Sequence, residues 1–151
     1  MGMNMKIAMG CDPNAEEFKQ ELIAYVKSLG HDVTDFGSKD PIYANDAIAV
    51  AEKVAAGEFD RGILCCGTGL GVMLAANKVK GAYAAVLGDI YSAQRACLSN
   101  NCNIITFGSQ VTGIKKAQML AKEYLSQTYV YNERSGKKVD RIVEYENEHF
   151  R

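Results

Sequence analysis

Ile63-Leu64-Cys65-Cys66-Gly67-Thr68-Gly69-Leu70-Gly71-Val72-Met73-Leu74-Ala75-Ala76-Asn77-Lys78 is the stretch whose reading decides the fold. A short apolar run ends on two cysteines, and a glycine-rich turn follows at once. A segment of helical composition then runs to Lys78, with Gly81 beyond it. The order reads as strand, tight loop, helix. In an α/β sheet such a loop lies at the carboxyl end of a strand, where ligands bind. N–H groups at a helix start lack intrahelical acceptors, so they offer donors to an anion or an oxyanion. The same dipoles would stabilise a thiolate at Cys66. A nucleophile or base beside an oxyanion cradle is one reading. A plain glycine turn with both cysteines in the core is the other.

The flanking sequence repeats the alternation. Lys6 to Asp12 is an apolar run ending in an acid, read as the first strand. Asp12 at its carboxyl end either caps the next helix or faces the ligand edge. Residues 14–29 carry Phe18, Leu22, Tyr25, Val26 and Leu29 at helical spacing and stop at Gly30. Residues 32–36 alternate and end at Gly37, a second strand. A loop from Ser38 to Asn45 holds Pro41 and Tyr43, and an alanine-rich helix spans 46–56. The opening stretch gives a strand at 61–66 and a helix at 69–79. Strands at 83–87 and 103–107 alternate with helices at 89–98 and 112–126. The tail, 129–151, has an extended piece, a polar turn through Gly136 and a charged helix. Its thin apolar stripe of Val139, Ile142, Val143 and Tyr145 is read as lying on a neighbouring subunit. Together these imply one domain: a three-layer α/β sandwich on a five-stranded parallel, Rossmann-like sheet, with a helical tail. Asp12, the 37–45 loop, Cys66 to Gly71, Gly88-Asp89 and Gly108 all follow strands and so share one edge.

Composition narrows the function classes. At 151 residues, 48% hydrophobic and 23% charged, the chain reads as a soluble globular domain. A formal net charge of −1 gives no pull toward nucleic acid or anionic membranes. No apolar run approaches a membrane span, and the start lacks a signal-peptide pattern. Five cysteines, an odd number with two adjacent, argue for a reducing, cytoplasmic setting rather than a disulfide scaffold. Metal-ligand spacing is missing, and the two histidines, His31 and His149, are expected at the surface. No metal and no cofactor are expected. The glycine pattern is neither Gly-x-Gly-x-x-Gly nor a P-loop, which weighs against dinucleotide or ATP binding.

Gly10-Cys11-Asp12, Cys66-Gly67-Thr68-Gly69-Leu70-Gly71, Ala76-Asn77-Lys78, Tyr91-Ser92-Ala93, Ser99-Asn100-Asn101 and Phe107-Gly108-Ser109 resemble the type B ribose-5-phosphate isomerases. That family includes the galactose-6-phosphate isomerase subunits LacA and LacB, and the resemblance runs over nearly the whole chain. It implies metal-free aldose–ketose isomerisation of a sugar phosphate through a cis-enediolate. Such chemistry needs a base for the proton beside a carbonyl and donors for the oxygen that gains charge. Cys66 matches the family's base, and the N–H groups of residues 67–71, those of Gly67, Gly69 and Gly71 among them, fall where the enediolate oxygen is held. Thr68 would orient or relay a proton between the two oxygens. Asp12 matches an acid gripping substrate hydroxyls, and Tyr43 a tyrosine lining the pocket. Asn100 matches a contact made across a dimer interface. Cys65 stands where relatives carry an apolar residue. Arg134 and Lys138 remain from a more basic tail pattern as phosphate ligands. The resemblance thus implies a homodimer or tetramer.

The departures bear on substrate. Pro13 stands where the family usually has His, Ser99 where it has a ring-opening His, and Gln110 where an Arg is common. A pentose 5-phosphate closes to a furanose through its C4 hydroxyl, whereas a tetrose 4-phosphate has that oxygen esterified and needs no ring opener. The segments 42–45 and 98–101 also resemble a subgroup acting on tetrulose phosphates. Tetrose or tetrulose phosphate therefore ranks level with ribose 5-phosphate, with hexose 6-phosphate third. Outside this class stand a LacA-like module that binds without turnover and a cysteine-nucleophile transferase. The latter needs a base beside the thiol, usually His.

Overall fold

The computed structural model describes residues 4–37 and 39–150. Residues 1–3, which carry part of the amino-terminal reading, Ser38 of the loop and Arg151 of the tail lie outside the described residues. Five strands, β1 (Lys6–Cys11), β2 (Asp32–Asp35), β3 (Arg61–Cys66), β4 (Ala84–Val86) and β5 (Ile104–Gly108), form one sheet in the order β2-β1-β3-β5-β4. Every pairing is parallel. The central strands are buried on both faces, which is why they read as continuous apolar runs such as Ile63-Leu64-Cys65 rather than as alternation.

Among the described residues there are six α-helices, α1 (Glu16–Ser28), α2 (Tyr43–Ala55), α3 (Leu70–Ala76), α4 (Ile90–Leu98), α5 (Ile114–Leu125) and α6 (Glu133–His149), of which the first five cover the sheet. Leu22 and Val26 of α1, Ala93 and Ala96 of α4, and Leu120 and Tyr124 of α5 pack with Ile7, Met9, Ile63, Cys65, Ile105 and Phe107. On the other face Ala47, Val50 and Ala51 of α2 and Val72 and Ala76 of α3 pack with Ala8, Leu64 and Ile104. The result is the expected three-layer α/β sandwich on a parallel five-stranded sheet.

Several boundaries move, each for a local reason. Helix α2 begins at Tyr43, not within 46–56. The Asp40 carboxylate accepts from Ile42 N (2.8 Å) and Asn45 Nδ2 (2.9 Å), fixing the helix entry early. Helix α3 stops at Ala76 because Asn77 turns to β4, its amide exchanging hydrogen bonds with both Ala84 O (3.0 Å) and Ala84 N (2.8 Å). Tyr83 falls outside β4, and its N–H goes to Asn103 Oδ1 (2.8 Å).

Two expectations are corrected. Gly136 is not in a turn but inside α6. Asn132 caps that helix, its Oδ1 accepting from Ser135 N (2.8 Å), and the Tyr131 ring packs on Gly136 where a side chain would otherwise stand. His31 is not a surface residue: it is 7% exposed and its Nδ1 accepts from Met5 N (3.2 Å). Burial, with the nearby Arg61 cation, holds its imidazole below the ordinary value, as suits a neutral acceptor. His149 is exposed.

The tail meets the rest of its chain through Tyr129, which packs on the core, and through one buried acid of α6. Glu146 is buried and accepts from Gly81 N (3.0 Å) and from the Tyr83 hydroxyl. Val139, Ile142 and Val143 of α6 line a cavity of about 400 Å³ against β4 and α4. Ile142 and Tyr145 remain more than half exposed.

Candidate active site

Strands β1 and β3 are neighbours, and from them the chain proceeds to opposite sides of the sheet: β2 lies beyond β1, while β5 and β4 lie beyond β3. The crevice at their carboxyl ends is the topological switch point of an open α/β sheet. Cys66 ends β3 at 5% exposure, and Asp12 follows β1 with its N–H donating to Cys65 O (2.9 Å). Asp12 also caps the 3₁₀ turn Pro13–Ala15, its carboxylate accepting from Asn14 N (3.0 Å). Asp12 thus caps the turn that leads from the carboxyl end of β1 into α1.

The loop after Cys66 is lashed to the end of β5. Ser109 N donates to Cys66 O (2.8 Å), Gln110 N to Gly67 O (3.0 Å), and Thr106 Oγ1 to Gly69 O (2.7 Å). Gly69 has φ +81°, a conformation that favours glycine, and turns its N–H onto Cys66 Sγ (3.1 Å). Leu70 N is taken by Thr68 Oγ1 (3.2 Å). The Tyr43 hydroxyl packs on Gly71 from the start of α2. The structure therefore places Asp12, Tyr43, Cys66, Gly67, Thr68, Gly69 and Gly71 together at the carboxyl ends of β1 and β3.

The three cysteines at this edge differ in surroundings. Burial pushes the Cys11 thiol up to about 12, the Lys19 cation opposing and Glu16 reinforcing the shift. Its Sγ donates to Glu16 Oε2 (3.7 Å). The fully buried Cys65 thiol is raised well above the ordinary value, again chiefly by burial. Both are held as inert thiols among the core residues of one face. Cys66 lies on the opposite face, with the Gly69 amide aimed at its sulfur.

The remaining sequence-predicted residues gather elsewhere. Ser99 and Asn100 follow α4, and Arg134 and Lys138 stand in the first turns of α6. With Tyr91 and Arg95 they line a cavity of about 430 Å³. Since the sheet is parallel, Cys66 and Asp12 stand at strand carboxyl ends, whereas Ser99 and Asn100 precede β5 at its amino end. One chain thus holds Cys66 and Asp12 at the opposite edge of its sheet from Ser99 and Asn100. Arg95 was missed by sequence reasoning. The available signal was the i, i+4, i+8 spacing of Tyr91, Arg95 and Ser99 along one face of a helix. Among the described residues no group of three or more His, Cys, Asp or Glu could hold a metal ion, and no helix is long and apolar enough to cross a membrane.

Comparison with known proteins agrees with this geometry. The model of the family described as Ribose/Galactose Isomerase matches residues 7–142. A D-erythrulose-4-phosphate isomerase 2 from Mycolicibacterium smegmatis is 41% identical, over 95% of this chain and 99% of its own. A ribose-5-P isomerase B from Listeria innocua is 43% identical, over 93% and 96%. The solved structure of Clostridium thermocellum ribose-5-phosphate isomerase B superposes with a TM-score of 0.90 at 36% identity, covering 96% of this chain and 99% of that one. With its fold, its glycine loop and nearly its whole length accounted for, the chain belongs to the ribose/galactose isomerase family and is a sugar-phosphate isomerase.

Proposed function

We propose that this isomerase interconverts the aldose and ketose forms of a short sugar phosphate, a tetrose/tetrulose 4-phosphate or ribose/ribulose 5-phosphate, with Cys66 as the base. The observation that carries the reading is the Gly69 N–H at 3.1 Å from Cys66 Sγ, inside a loop fixed by β5. A donor aimed at sulfur stabilises negative charge there. The thiolate takes the proton from the carbon next to the carbonyl, and the electron pair moves onto the carbonyl oxygen. The amides of Gly69 and Leu70 are engaged within the loop. Those of Gly67, Thr68 and Gly71 therefore meet the charge that develops on the enediolate. Thr68 passes a proton between the two oxygens, and the Cys66 thiol returns its proton to the neighbouring carbon. Asp12 grips substrate hydroxyls and Tyr43 walls the crevice.

Arg134 and Lys138 hold the phosphate. They share a cavity with Asn100, which lies at the opposite edge of the sheet from Cys66, so each site is completed by a second copy, and the working unit is a homodimer or a pair of dimers in the cytoplasm. Mixing tests this. Cys66→Ala and the double variant Arg134→Ala/Lys138→Ala should each be nearly inactive. Random re-pairing of the two should recover about a quarter of wild-type activity, because half the dimers are mixed and each then holds one intact site. No recovery from well-folded, re-paired protein refutes the shared site. For the substrate, kcat/KM across C4, C5 and C6 sugar phosphates decides. With Ser99 in place of a ring opener, tetrose and tetrulose phosphates, which cannot form the furanose, should lead. A chain that prefers ribose 5-phosphate to every tetrose phosphate leaves only the pentose reading.

A further inference from the structure

We propose that Arg95 is a third cationic ligand of the substrate phosphate and the residue that fixes Ser99 beside it. The proposal rests on reading Arg134 and Lys138 as the phosphate site and extends that site to a different helix. Arg95 lies one turn after Tyr91 and one turn before Ser99 on α4. Its Nη1 donates to Ser99 Oγ (3.1 Å), and its guanidinium carbon lies 5.9 Å from the Tyr91 ring centroid. These contacts hold the planar group against the cavity that Arg134 and Lys138 enter from α6.

Three facts make this wall an anion site. The first is charge. The cavity is lined by Arg95, Arg134 and Lys138 and by no Asp or Glu. Among the described residues none of these three cations pairs with a carboxylate, whereas Lys19, Lys53, Lys137 and Arg141 all do. Three converging cations without a counter-charge repel one another, and a doubly charged anion removes that cost. The second is an unmet donor. Arg95 Nε is shut off from solvent and has no acceptor. Buried donors are rarely left so. A ligand oxygen toward which the side chain turns would satisfy it. The third is the 17-residue helix α6, whose capped amino end at Asn132 and Ser135 faces the same cavity and adds its positive dipole end. A guanidinium also offers the fork that matches phosphate oxygens two at a time. With Nη1 given to Ser99, the other terminal nitrogen is open to the ligand, and Nε joins it when the side chain turns.

The test uses the full-length protein with inorganic phosphate as the probe, titrated calorimetrically, alongside KM and kcat for the best sugar phosphate. Arg95→Gln keeps a donor for Ser99 Oγ but removes the charge. Arg95→Lys keeps the charge and loses the fork. Arg134→Gln is the reference. Arg95→Gln should weaken phosphate binding about tenfold, the scale of one charge-assisted contact. KM should rise alongside, while kcat stays within about threefold. Arg95→Lys should recover part of the loss. Unchanged phosphate binding in folded Arg95→Gln, with Arg134→Gln weakened, overturns the role of Arg95 and leaves the phosphate site standing. If neither variant weakens binding, the phosphate site itself is wrong. A fall in kcat with phosphate binding intact also overturns the proposal, since Arg95 would then act only through Ser99.

Discussion

Gly108→Ala isolates the packing that holds the loop after Cys66, the loop proposed to carry the chemistry. Gly108 ends β5, and the backbone of Thr68 runs directly over it. A methyl group at 108 would stand 2.5 Å from Thr68 C and 2.6 Å from Thr68 Cα and O. These are backbone atoms of a segment tied down by Ser109 N to Cys66 O and by Thr106 Oγ1 to Gly69 O, so no side chain can swing away. Reaching an ordinary separation of about 3.4 Å requires the loop to move by roughly 1 Å. Overpacking of this kind costs about 1–3 kcal/mol of stability, and misplacing a reacting group by 1 Å costs on the order of a hundredfold in rate. The expected variant is folded, several degrees less stable and about a hundredfold slower, with KM little changed. The assay is kcat and KM with thermal unfolding followed by circular dichroism. Gly88→Ala, where the methyl group meets nothing within 4 Å, is the control and should match wild type. A Gly108→Ala enzyme with wild-type kcat and stability would refute the claim that this contact positions Cys66 and Thr68.

The cysteines should separate cleanly. Cys66→Ala should lower kcat by about a thousandfold or more with unfolding unchanged, whereas Cys65→Ala should cost about 1–3 kcal/mol of stability and little rate; a stopped assay and urea denaturation read both. Lys19, fully buried, pairs with Asp35 (2.7 Å) and Glu16 (3.0 Å). Burial alone would raise the Asp35 carboxyl, but the Lys19, Gly37 and Gln20 hydrogen bonds outweigh it and hold it below 3.8. Burial would lower Lys19, but its acid partners outweigh it and hold it above 10.5. Stability from Asp35 is therefore present above about pH 3.8 and lost as pH falls through its lower folded value. Stability from Lys19 is present below about pH 10.5 and lost as pH rises through its higher folded value. Lys19→Met should lower the urea midpoint across this plateau and flatten both limbs of a midpoint-against-pH curve. Glu146→Ala should loosen α6 by removing the acceptor for Gly81 N and the Tyr83 hydroxyl. It should raise KM with kcat nearly unchanged, and faster hydrogen exchange in 133–149 would confirm the cause.

What was legible in the sequence was what is local. The strand–glycine–helix order around Cys66 is written in consecutive residues, and so are the cap at Asp12 and the alternation that makes the sheet parallel. The strand order was not legible. Five alternations fix direction, but nothing local says that β5 inserts between β3 and β4. Gly136 was read as a breaker because glycine lowers helix propensity. The Asn132 cap and the Tyr131 ring override that preference. His31 lay in a turn-like context, and only the approach of β1, through Met5 N, buries it. Tyr43 over Gly71, and Arg95 lining one cavity with Arg134, are tertiary meetings between separate helices, which the spacing within either helix does not show.

The sheet itself constrains how a site can be assembled. A strand of six residues, the length of β3, spans about 20 Å. Cys66 ends β3, whereas Ser99 and Asn100 lie before the amino end of β5, so on the proposed reading the two meet one short sugar phosphate only across two copies. On the two-copy reading, the partner's wall supplies whatever meets the phosphate and the ring oxygen. In that wall Ser99 Oγ already accepts a hydrogen bond from Arg95 Nη1. Its own hydrogen is then free to donate to a substrate oxygen, but a serine hydroxyl does not exchange protons near neutral pH as an imidazole does. On the proposed reading this wall offers hydrogen bonds to an open-chain substrate and, among the described residues that line it, no imidazole to open a ring. Selection for the tetrose phosphate would follow from that chemistry alone, without any contact to the missing carbon.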